Sequence, residues 1–167
     1  MEAQWQPPTL RLMPTRRKQA DFVPWAGGVL LCSVRAKAVL SPLLRKCVEW
    51  LPCSSERGEV YFALNVLEIG DQLVDLPATK SLNSGHPAGF LLSRVRFLPQ
   101  AAVSAPPIFR LRLGAPIPRP AHYVSSEVAA SVAREQLKGI WLMNPERDEA
   151  TAYIRGEQMN DFPGIKT

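Results

Sequence analysis

Glu59-Val60-Tyr61-Phe62-Ala63-Leu64-Asn65-Val66-Leu67-Glu68-Ile69 is the stretch on which the fold turns. It is dense in β-branched and aromatic residues and follows the turn signal Ser54-Ser55-Glu56-Arg57-Gly58, so it predicts a strand over 59–69. Val60, Phe62, Leu64 and Val66 fall on one face, and Tyr61, Ala63, Asn65 and Leu67 on the other. Both faces are mostly apolar, which fits a central strand covered on both sides. Asn65 interrupts the pattern, and a buried amide needs partners: neighbouring backbone or a ligand.

On the N-terminal side, Val48-Glu49-Trp50-Leu51-Pro52 and Gly28-Val29-Leu30-Leu31-Cys32 predict two further short strands. Between them Ser33 is placed to cap a helix running to Cys47, its hydroxyl taking an orphan N–H of the first turn. Pro42 removes a donor and disfavours helix at Ser41, so a kink or restart is expected there. Residues 1–27 hold Pro7, Pro8, Pro14 and Pro24 and predict an extended arm with little regular structure.

On the C-terminal side, Pro77, Gly85 and Pro87 mark a loop over 76–88. Two alternating segments follow. Leu91, Ser93, Val95 and Phe97 oppose Phe90, Leu92, Arg94 and Arg96; Phe109, Leu111 and Leu113 oppose Ile108, Arg110 and Arg112. If these segments pair, Arg94, Arg96, Arg110 and Arg112 share one sheet face. Asp71, Asp75 or a glutamate of the C-terminal stretch can supply the counter-charge within the chain. Beyond the prolines at 116, 118 and 120, residues 121–124 predict an edge strand. A helix capped by Ser125 or Ser126 then runs to about Leu137, with Gly139 at its left-handed terminus. Residues 140–143 predict a last short strand, and 145–167 a polar tail. The order of elements predicts a single α+β domain, a mostly antiparallel sheet with two main helices.

Composition narrows the function. At 167 residues with 46% hydrophobic and 21% charged, the chain suits one ordinary core rather than disorder. No apolar run approaches the roughly 18 residues of a spanning helix, and no secretory signal is visible at the N-terminus. Cys32, Cys47 and Cys53 form no Cys-x-x-Cys pair, and with His86 and His122 they suggest neither a metal site nor a cofactor. No nucleophile elbow or phosphate-binding loop is present, so nothing points to an enzyme. The net charge of +5 is uneven: residues 76–126 carry six basic side chains and no carboxylate.

An ordered set of segments carries a family resemblance. It comprises Asp21-Phe22, Gly28 to Ser33 before a helix, Val48 to Pro52, Tyr61 to Val66, Leu73-Val74-Asp75, Ile108 to Leu111, Tyr123 to Glu127 and Leu137 to Ile140. Together they resemble the immunity-protein domain of myxobacteria and other Gram-negative bacteria, linked to polymorphic toxin systems. The resemblance implies an immunity-type domain over 28–144, cytoplasmic and non-catalytic, that neutralises a cognate toxin by occlusion. Asn65, Asp75, Ser125 and Gly139 match the family pattern at positions expected to be structural.

Charge then shapes the expectation. A chain at +5 with a carboxylate-free middle is poorly suited to imitate phosphate, so the expected toxin surface is acidic, met by Arg94, Arg96, Arg110 and Arg112. The competing reading is a basic nucleic-acid-binding domain. Against it, the arginine-bearing segments offer few stacking aromatics and no recognition motif.

Overall fold

The computed structural model describes residues 5–11, 20–25, 28–81, 92–118 and 120–146. A five-stranded sheet forms its centre, in the order β1 (Thr9–Leu10), β4 (Val48–Ser55), β5 (Val60–Val66), β3 (Leu30–Ser33), β2 (Phe22–Pro24). β1 lies parallel to β4; every other pairing in the sheet is antiparallel. The deciding strand is central, as its two apolar faces require, but shorter than the sequence suggests. Its ladder ends at Val66, and Ile69 makes a separate bridge to Arg110.

Each face of the sheet closes a different core. On one face Cys32, Leu64, Val66 and Phe22 pack with Ala36, Leu40 and Leu44 of α1 (Val34–Leu44) and with Val128 and Val132 of α3 (Ser126–Arg134). On the other, Leu31, Leu51, Cys53, Tyr61 and Ala63 pack with Leu10 and Trp5. The arm is therefore not featureless: its residues supply both edge strands and close the second face.

The helices begin where their caps place them. Ser33 Oγ accepts the Ala36 N–H at 3.0 Å, and Ser125 Oγ accepts the Val128 N–H at 3.3 Å. Pro42 does not break α1. The chain leaves the helix at Arg45, whose φ is +38°, and Arg45–Cys47 form a 3-10 turn. At the end of α3 the left-handed residue is Gln136, φ +50°, rather than Gly139. Leu137 N–H donates to Val132 C=O and Gln136 N–H to Ala133 C=O, a Schellman closure that buries Leu137 beside Val132. Residues 140–143 form no strand, although Ile140 and Leu142 pack against the core.

Residues 69–124 are built differently. Short pairs, β6 (Lys80–Ser81) with β7 (Leu92–Arg94) and β8 (Ile108–Phe109) with β9 (Tyr123–Val124), flank a single helical turn, α2 (Ala101–Ser104). A third core forms here from Leu73, Val74, Val95, Ala101, Phe109 and Leu111. The two arginine-bearing segments do not pair with each other, because both edges of the second are taken. Arg110 N–H donates to Glu68 C=O and Gly70 N–H to Arg110 C=O on one side, while β9 pairs on the other. Between the two segments, Ala101–Ser104 form α2. Most of the 76–88 loop and, apart from Pro145 and Glu146, the polar tail lie outside the described residues.

Candidate functional site

The four arginines belong to one unit of the fold but not to one sheet face. Arg94 ends β7 in register with Lys80 and is half-buried. Arg96 is fixed through its backbone, its N–H donating to Thr79 Oγ1 at 3.1 Å and its C=O accepting from Asp75 N–H at 2.8 Å. Its guanidinium meets Glu146 at 3.2 Å, so a C-terminal glutamate does supply one counter-charge. Val95 N–H donates to Pro145 C=O at 2.7 Å and seats that segment beside β7.

Arg110 turns inward. Its Nη2 donates to Pro118 C=O at 3.0 Å, and burial lowers its pKa. His122 lies close enough to feel this charge: burial first, and then Arg110, push its pKa down to about 4, so the imidazole is neutral at pH 7. Arg112 points to solvent. Its backbone, with that of Leu113, is held by Asp71, whose two carboxylate oxygens accept the Arg112 and Leu113 N–H groups at 2.7 and 3.0 Å. Asp71 thus serves the backbone and not a guanidinium. Asp75 does likewise, accepting the Ala78 N–H at 3.3 Å and, through its C=O, the Thr79 hydroxyl at 2.8 Å.

A second constellation joins β2, the start of α1 and the segment after α3. Asp21, only 7% exposed, accepts Ser33 Oγ–H at 3.0 Å on one oxygen, and Arg35 Nη1 at 3.0 Å and Lys138 N–H at 2.9 Å on the other. Arg35 also donates to Glu135 C=O, Phe22 N–H to Lys138 C=O, and Ser33 N–H to Asp21 C=O. Gly139, φ +97°, closes the arrangement, for a Cβ there would fall 2.1 Å from Phe22 O. One carboxylate therefore joins β2, the start of α1 and the segment after α3. Asp21 was visible in the sequence only as part of the resemblance. A lone acid before a strand carries no local signal of such long-range partners.

Asn65 faces the second core side of the sheet, and its Nδ2 donates to Glu49 Oε2 at 2.8 Å, across a directly opposed pair. The amide is tied to a neighbouring side chain. Cys32 is fully buried, and its pKa rises to about 12 through desolvation, which keeps the thiol protonated and unreactive at neutral pH. Cys47 and Cys53 are also shifted upward by desolvation first. His86 lies outside the described residues. Among the described residues no cluster of three or more His, Cys, Asp or Glu is arranged to hold a metal, and no helix is long and apolar enough to cross a membrane.

No protein-family model matches the chain, and no curated protein matches it. What the arrangement offers chemically is cationic side chains at different exposures, Arg112 exposed and Arg94 and Arg96 half-buried, on segments whose backbone is held by Asp71, Asp75 and Thr79.

Proposed function

We propose that this chain is an immunity-type protein: a non-catalytic cytoplasmic domain that binds a cognate bacterial toxin and neutralises it by occlusion. The observation that carries this reading is the Asp21 constellation. Asp21-Phe22, Ser33 and Lys138-Gly139 are separate pieces of the resemblance, more than a hundred residues apart at the extremes, and they meet through direct hydrogen bonds. That is the behaviour expected of motif positions that specify a scaffold. Asp75 and Ser125, also motif positions, hold a turn and a helix cap. A family whose motif residues are used in this way leaves recognition to its surface.

The surface assigned to the toxin carries Arg94, Arg96 and Arg112; Arg110 serves the interior. Guanidinium groups suit carboxylate partners because their planar fork pairs bidentately and is weakly hydrated. Steering between this surface and an acidic toxin face speeds association and is weakened by salt.

Co-expression with the toxin encoded beside its gene is the direct test. The wild-type chain restores growth, and Arg94→Glu with Arg112→Glu reduces both protection and toxin affinity, by about tenfold or more for two charge reversals at a steered interface. Failure of the wild type to protect overturns the immunity reading. Protection and affinity unchanged by the reversals overturn the assigned surface alone. A mobility shift with nucleic acid that weakens steeply with salt would favour the nucleic-acid reading instead.

A further inference from the structure

The outer edge of β4 combines a strand capable of pairing with a cover that holds only part of it. In an antiparallel pair, alternate residues turn both backbone groups toward the neighbouring strand. Leu67 N–H donates to Cys47 C=O and Ser55 N–H to Glu59 C=O, so the odd-numbered residues from 47 to 55 face β5. Val48, Trp50, Pro52 and Ser54 therefore turn carbonyls outward, and Val48, Trp50 and Ser54 also turn N–H groups outward.

Residues 5–10 cover one half of this edge. Ser54 N–H donates to Pro8 C=O at 3.4 Å, Glu56 N–H to Leu10 C=O at 3.0 Å, and Trp5 Nε1–H to Pro52 C=O at 2.8 Å. Pro7 and Pro8 have no N–H to give, so the arm donates to this edge through Leu10 N–H, which the parallel register sets on Ser54 C=O, and through the Trp5 indole. Its remaining hold is apolar: Leu10, 4% exposed, and Trp5 lie against Leu31, Leu51, Cys53, Tyr61 and Ala63. No described residue bonds the outward N–H or C=O of Trp50.

We infer that the arm is a displaceable strap over a self-complementary edge, and that a second copy of this chain pairs with β4, antiparallel, once the strap lifts. A two-fold axis beside Leu51 sets Trp50 opposite the second copy's Pro52, and Val48 opposite its Ser54. Trp50 N–H then donates to the Pro52 carbonyl and Ser54 N–H to the Val48 carbonyl, and the axis repeats both bonds. Glu49 falls opposite Cys53, so no like charges meet, and Leu51 meets its own counterpart on the face the arm had covered. These matches between the strand and itself favour a second copy over an unrelated strand. Proline within the arm and at position 52 is a recurrent way of discouraging such pairing while the strap is in place.

The test uses the full chain. The wild type sediments at the monomer mass. Trp5→Ala with Leu10→Ala loosens the strap, and its apparent mass doubles in a concentration-dependent way. Adding Ser54→Pro, which removes only an edge-facing N–H, returns the monomer mass, as does an excess of a synthetic peptide of residues 1–11. A loosened variant that stays monomeric with a native far-UV spectrum overturns the proposal. So does a dimer that persists through Ser54→Pro, or a wild type already dimeric. If the double variant loses its native spectrum, Trp5→Ala alone is judged by the same criteria.

Discussion

The helix-covered sheet and the arginine-bearing segment over 69–124 hold their backbones in different ways. In the sheet, β5 is laddered to β4 over seven residues and to β3 over four, and the apolar residues on its faces fill two cores. Among the described residues of the other region no strand exceeds three residues, and order comes from side chains that grip backbone: Asp71 on Arg112 and Leu113, Asp75 on Ala78, Thr79 on Arg96. Packing there centres on Phe97, Phe109 and Tyr123, whose ring centroids are 5.5–5.8 Å apart, with Phe109 and Tyr123 stacked and Phe97 edge-on to both. β8 joins the two regions, sending Ile108 into the helix-covered core and Phe109 into the other. The first region is stabilised by repetition. The second depends on individual contacts, so single substitutions there should act locally.

The largest effect is expected where the first region departs from repetition. Asp21→Ala leaves the Ser33 hydroxyl, the Lys138 N–H and Arg35 without their shared acceptor. It is expected to cost about 3 kcal/mol, at the low end for breaking a buried charged network because Arg35 is 53% exposed. Asp21→Asn keeps one acceptor oxygen and is expected to lose less than half as much. Urea unfolding checks both: a midpoint shift for Asp21→Ala no larger than that of Asp21→Asn would show that the carboxylate does not unite the sheet and helices.

This contrast also explains what was legible beforehand. The central strand, both helix caps and the α+β class follow from period, β-branching and hydroxyl placement, which are local. The pairing of Arg94–Arg96 with Arg110–Arg112 did not follow. Alternation shows that a segment can join a ladder but not which edges are already occupied, and Glu68, Gly70 and β9 occupy both edges of the second segment. Gly139 illustrates the same limit. A glycine after a helix suggests its terminus, yet Gln136 takes that conformation and Gly139 is needed for its approach to Phe22. The arm's two edge strands depend on partners 6–45 positions away, which its prolines do not signal.

In the second region the next largest effect is expected at Gly70. A Cβ there would fall 2.3 Å from Phe109 Cδ2, so Gly70→Ala must push the ring out of its stack with Tyr123. Overpacking of this kind costs about 2 kcal/mol. Because the contacts are individual, near-UV circular dichroism should lose the aromatic signature of the trio while far-UV ellipticity stays near wild type. A parallel loss of both signals would mean that the two regions unfold as one and that the contrast does not extend to cooperativity.

The smallest effect sharpens the contrast through pH. His122 has a folded pKa of about 4 against an ordinary value of 6.5, so the unfolded chain binds the extra proton between those values. Stability from this group is therefore complete above pH 6.5 and falls as the solution is acidified toward pH 4. The loss is expected to be about 1 kcal/mol once solvent screening of a half-buried ring beside Arg110 is allowed for. His122→Gln removes the titration and should flatten that part of the wild-type curve measured by urea unfolding between pH 4 and 7. If His122→Gln keeps the wild-type slope, the acid sensitivity belongs to other groups, and burial of the ring beside Arg110 is not what holds the imidazole neutral.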